Sequence, residues 1–152
     1  MDITKVKYEP EAGRVQIKWT EDSDTSNRDT TFTCYDRPLQ EFLDAFNSLV
    51  PAALNLIGAP EVWAERGTVS GVSITHEEER IGAVVTVLID LGEKTKGPLV
   101  INTPYLVDDD ENGPCMEPDM LTAVDAIQRE AKRYVRGERA QADFFAGQGE
   151  AA

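Results

Sequence analysis

Between residues 14 and 19 the chain reads Arg14-Val15-Gln16-Ile17-Lys18-Trp19, an alternation of polar and apolar side chains. Successive side chains on a strand point to opposite faces, so this run predicts a strand with one buried face and one wet face. Such a strand needs neighbours to pair with and an apolar layer to cover it. The neighbours are legible. Ile3, Val6 and Tyr8 lead into a turn at Glu11-Ala12-Gly13, and Thr31-Phe32-Thr33-Cys34-Tyr35 follows the polar loop 21–27. Together these predict an antiparallel three-stranded meander.

A helical cover follows. Asp36 and Pro38 supply helix-start chemistry, a capping side chain and a first-turn residue. Leu39, Phe42, Leu43, Phe46, Leu49 and Val50 recur at helical spacing, continued by Ala53, Leu54 and Ile57. Pro51 predicts a kink or a restart, and Gly58-Ala59-Pro60 a stop. Two further strands, Thr68 to Thr75 and Ile81 to Leu91, flank a charged turn, His76 to Arg80. The run Ala83 to Ile89 is apolar on both faces, which predicts a central strand. Leu99 to Asn102 is a sixth strand after the turn at Gly97-Pro98, and an acidic loop, 108–119, leads into a second helix ending near Gly137. The expected fold class is α+β: a single domain, residues 1–137, with a mostly antiparallel sheet of about six strands covered by two helices. Residues 138–152, rich in Ala, Gly and Gln, are expected to be a flexible tail with no core role.

Composition narrows the function classes. With 15 basic and 28 acidic residues the net charge is −13, which argues against the whole surface serving as a DNA- or membrane-binding face. Hydrophobic residues make up 41 %, too many for wholesale disorder. No apolar window approaches a membrane span, and Met1-Asp2-Ile3-Thr4-Lys5 does not read as a signal peptide. Cys34 and Cys115 are too few for a disulfide scaffold and read as cytosolic thiols.

Catalytic signals are poor. The single histidine, His76, opens His76-Glu77-Glu78-Glu79-Arg80, which lacks the second histidine of a zinc-protease helix and reads as a solvated hairpin tip. Gly92-Glu93-Lys94-Thr95-Lys96-Gly97 lacks the glycine spacing of a phosphate loop. The chain is therefore expected not to be an enzyme. Asp108, Asp110, Asn112, Gly113 and Asp119 match the spacing of an EF-hand calcium loop, in which alternate oxygen ligands wrap a hard cation. Asp119 stands where that loop normally has a bidentate glutamate, Pro114 stiffens the turn, and a strand precedes it. Calcium is the one cofactor this spacing suggests. On the second helix, Leu121, Val124, Ile127, Ala131, Tyr134 and Val135 form the side expected to pack on the sheet. Arg129, Lys132, Arg133 and Arg136 form a basic stripe expected on the opposite side. Such a stripe suits a nucleic-acid contact, and equally a helix C-terminus that favours cations.

The sharpest signal lies in the tail. Gln141-Ala142-Asp143-Phe144-Phe145 resembles the bacterial sliding-clamp-binding motif, with Phe144 where leucine or methionine is usual. The resemblance implies that Gln141 enters a polar subsite while Phe144 and Phe145 enter an apolar pocket, with Asp143 at the acidic or serine position. The runs Val69 to His76, Gly82 to Thr86, Leu99 to Pro104 and Gln141 to Phe145 are also similar to a group of small phage proteins of unassigned function, encoded among recombination and replication genes. That likeness implies a bacterial cytoplasm and brings no active site. The expected function is a non-enzymatic phage accessory protein in DNA replication or recombination. Its expected partners are the host DNA polymerase sliding clamp and other replication or recombination proteins. The competing expectations are an acidic DNA mimic that inhibits a host nuclease or defence complex, and a calcium- or small-ligand-binding domain.

Overall fold

The alternation of residues 14–19 dictates the architecture. In the computed structural model, which describes residues 1–77, 79–108 and 113–140, Val15, Ile17 and Trp19 are buried while Arg14, Gln16 and Lys18 are half-buried. They lie on β2 (Arg14–Asp22), between β1 (Asp2–Glu9) and β3 (Asn27–Cys34). The polar segment 21–27 contributes to both strands, leaving a tight turn in which the Ser23 amide donates to the Ser26 carbonyl at 2.8 Å. The expected loop is thus a hairpin. Helix α1 (Gln40–Leu56) then crosses to β4 (Gly67–Glu77), β5 (Arg80–Ile89), β6 (Leu99–Asn102) and the two-residue β7 (Leu106–Val107), and α2 (Pro118–Val135) ends the fold. Short 3-10 turns occupy Glu61–Arg66 and Gly92–Lys94.

The sheet order is β3-β2-β1-β4-β5-β6, with β7 also paired to β5, and every pair is antiparallel. The fold class is therefore α+β, one antiparallel sheet and two main helices in a single domain. Both helices lie on one face. Tyr8 of β1 meets the rings of Phe42 and Phe46 edge-on, with centroids 6.4 and 6.3 Å away, and Tyr134 of α2 lies 5.7 Å from Phe42. The helices are antiparallel, since the start of α2 meets the end of α1 at a hollow lined by Asn55, Leu56 and Glu117. Strand β5 has β4 on one side and β6 and β7 on the other. Its inner face, Ala83, Val85, Val87 and Ile89, is buried; on the outer face Gly82 is buried, and Val84, Thr86 and Leu88 remain half-buried. The apolar run thus marks an internal strand covered on one face.

Three local expectations are corrected. Helix α1 begins at Gln40 with Leu39 at the cap position and no side-chain cap; Asp36 lies three residues before the cap, and its carboxylate is engaged by Arg139. It runs through Pro51 without a restart. Proline removes one backbone donor, but Pro51 and the residue one turn before it, Asn47, are both exposed, so water can reach the freed carbonyl. His76 is no solvated tip: it lies within β4, half-buried, and donates from Nε2 to the Ile3 carbonyl at 2.6 Å.

Candidate partner-binding surface

Helix α2 carries Pro118 and Asp119 in its first turn and Lys132 and Arg133 in its last, an order that suits both the proline geometry and the helix dipole. Met120, Ala123, Val124, Ile127, Ala131 and Tyr134 are buried; Leu121 and Val135, expected in that stripe, are half-buried at its margins. Arg129, Lys132, Arg133 and Arg136 come together, with Asp125, Gln128 and Ile81, around a groove of about 340 Å³.

The four cations are not equivalent. Between them Glu130 is only 4 % exposed, and its carboxylate oxygens lie 2.5 and 2.9 Å from Nη1 of Arg133. A buried carboxylate left unpaired is strongly destabilising, so Arg133 is committed to the fold. Hydrogen bonding to Glu130 also raises the Arg133 pKa, and Nε of Arg133 lies 3.4 Å from Glu138. Arg129 and Arg136 are exposed and Lys132 half-buried, and these three are the cations the groove offers to a partner.

At the end of α2 the chain is fastened rather than released. The Tyr134 hydroxyl donates to the Asp36 carbonyl at 2.6 Å, and burial, helped by the neighbouring Cys34, pushes the phenol pKa well above its usual range. Arg139 then folds back. Its guanidinium carbon sits 4.9 Å from the Tyr134 ring centre and 5.3 Å from that of Phe32; Nη1 is 2.9 Å from the Asp36 carboxylate, and Nε donates to the Tyr134 carbonyl at 3.0 Å. The Ala140 amide donates to the Arg37 carbonyl at 2.9 Å. The docked chain therefore extends three residues past the boundary expected at 137. A chain ending at Glu138 is expected to melt about 4 °C below one ending at Ala140, since two cation–π contacts and an ion pair contribute about 1–2 kcal/mol. Equal melting temperatures would show that Arg139 contributes nothing.

The remaining sequence-predicted residues fall in two groups. Asp108 and Asp119 are described and already serve as backbone acceptors: Asp108 Oδ1 takes the Ile81 amide at 3.1 Å, and Asp119 Oδ1 takes the Met120 amide at 2.8 Å. Asp110 and Asn112 lie outside the described residues, as do Gln141, Asp143, Phe144 and Phe145 of the clamp-like motif. Among the described residues no group of three or more His, Cys, Asp or Glu side chains is placed to hold a metal ion, and no helix is long and apolar enough to cross a membrane.

Sequence reasoning missed the other face of the sheet, where Lys5, Lys7, Lys18 and Arg14 stand together. Lys5 is directly opposite Lys18 because the β1–β2 register shifts between Ile3 and Lys5. The signal was the odd spacing of Ile3 and Val6, both fully buried, which a regular strand cannot achieve without a bulge. Comparison with protein-family models, with curated proteins and with solved structures finds no match to this chain.

Proposed function

We propose that this protein is a non-enzymatic accessory factor that docks on a bacterial DNA polymerase sliding clamp through Gln141 to Phe145, and acts in phage DNA replication or recombination. The observation that supports this most is positional. The domain fastens its chain through Arg139 and Ala140, and the clamp-like motif starts at the next residue, Gln141. A motif delivered directly from an anchored point needs no core role of its own, which fits two adjacent phenylalanines in a segment otherwise rich in Ala, Gly and Gln. The groove formed by Arg129, Lys132 and Arg136 on α2 lies on the element that ends at this anchor, so a docked clamp brings that cationic groove near clamp-bound DNA. The test is a pull-down with purified bacterial clamp. The full chain is expected to retain the clamp and a chain ending at Ala140 to release it; equal behaviour of the two chains overturns the reading.

A further inference from the structure

The uncovered face of the sheet carries an energetic oddity. Lys5 and Lys18 are cross-strand partners on one face, which brings their Cβ atoms to about 5 Å, and like charges in that arrangement are destabilising. Their other lateral neighbours on this face are Ser73 and Thr31, both neutral. Lys7 follows Lys5 two residues along β1, about 7 Å away on the same face. Glu9, further along β1 on the same face, is already shared: it lies 3.2 Å from Lys7 and 2.7 Å from Arg14. That double engagement, led by the Arg14 bond, lowers the Glu9 pKa. Among the described residues neither Lys5 nor Lys18 forms an ion pair. Asp2 and Asp29 stand on this face in the next row, on either side of Thr20, and among the described residues no acid is directly opposite either lysine. The bulge after Ile3 is what turns Lys5 outward, since a regular register would aim it at the core.

A second feature lies across the same face. Gly82 pairs with Thr75 and Val107, and a Cβ on it would come within 2.2 Å of the Tyr105 hydroxyl and 2.3 Å of two ring carbons. The Tyr105 ring therefore rests directly on backbone, while the residue stays 48 % exposed. Beside it Val84, in the strand row that continues through Ser73 to Lys5 and Lys18, gives an apolar floor. A flat surface with a cluster of cations at one end and an open aromatic ring at the other matches a flexible polyanion with stackable bases. A duplex presents its bases only at groove edges and would leave the ring unused.

The geometry points to the open sheet face as a single-stranded DNA site, with Lys5, Lys7 and Lys18 holding the phosphate backbone and Tyr105 stacking a base. The choice of DNA over RNA rests on the clamp reading; the face itself does not. The experiment is fluorescence anisotropy of a labelled oligodeoxythymidine titrated with the full-length protein, without any clamp, so its outcome is independent of clamp binding. Binding is expected to weaken with salt, with a slope of log K against log salt of about −2 for three phosphate contacts. Lys5→Gln with Lys18→Gln is expected to weaken binding about tenfold or more while the melting temperature holds or rises, because a repulsion has been removed. Tyr105→Ala is expected to cost about tenfold. Gly82→Ala, which displaces the ring without touching charge, is expected to follow it. No binding, undiminished binding by the double lysine variant, or a duplex bound as tightly as the single strand overturns the site. So does loss of binding through Arg129→Gln with Lys132→Gln on the opposite side of the molecule. Tighter binding of oligouridine than oligodeoxythymidine overturns the assignment to DNA.

Discussion

Tyr134→Ala is expected to destabilise the protein by about 3–5 kcal/mol, the range for removing a large buried ring. The ring is 1 % exposed and stands 5.7 Å from Phe42 and 6.3 Å from Phe32, so its loss opens a cavity where α1, α2 and β3 meet. Two further losses accompany it: the Asp36 carbonyl loses its hydroxyl donor, and Arg139 loses one of its two aromatic seats. For a chain of this size the melting temperature should fall by on the order of 10 °C. Tyr134→Phe keeps the ring and should cost only about 1 kcal/mol, the usual worth of one hydrogen bond. Thermal or denaturant unfolding of the two variants checks both. A Tyr134→Ala cost no greater than that of Tyr134→Phe would mean the ring is not a keystone.

The largest functional effect is expected at Phe144 and Phe145. A synthetic peptide spanning Arg139 to Gly147 should bind a bacterial sliding clamp with micromolar affinity, about −8 kcal/mol, because ordering a short peptide opposes the gain from a few anchors. Phe145→Ala should cost about 2 kcal/mol or more, and Gln141→Ala somewhat less, through lost amide hydrogen bonds. Phe144→Leu, a step toward the usual motif, should preserve or improve binding. In the full-length protein, Phe144→Ala with Phe145→Ala should abolish clamp binding in calorimetry. Retained binding by that double variant removes the proposed function.

The sheet was legible because its signal is local. Val15, Ile17 and Trp19 alternate within one strand, and the turn glycine Gly13 adopts a positive φ of 64° that other residues rarely take. Helix α2 was legible for the same reason, a sustained apolar period with proline at its start. What escaped depends on contacts distant in sequence. Asp36 reads as a helix cap until Arg139, 103 residues on, is seen to occupy it. His76 reads as a solvated turn until Ile3, 73 residues earlier, supplies its acceptor. Nothing in the sequence around Glu130 tells of its 4 % exposure, balanced by Arg133. The short β7 has only two residues, too few for any periodicity, and forms because β5 extends past the end of β6.

The sheet order also bears on how the molecule comes apart. β1, β2 and β3 are built from local hairpins, and so are β4, β5 and β6; the two halves meet only where β1 runs beside β4. That seam is registered over three pairs, Lys5 with Ser73, Val6 with Val72 and Lys7 with Gly71, whereas β4 and β5 pair over nearly their whole length. Two meanders that close small loops can assemble early, while the seam must await a connection through α1 and carries the larger loop-closure entropy. It is the line along which partial opening should start, seen as faster amide exchange across the β1–β4 pairs than across β4–β5. Slower exchange there would place the weak line elsewhere. α1 and α2 bridge the halves from one side only, so a ligand seated across β1 and β4 on the bare side would act as a second splint.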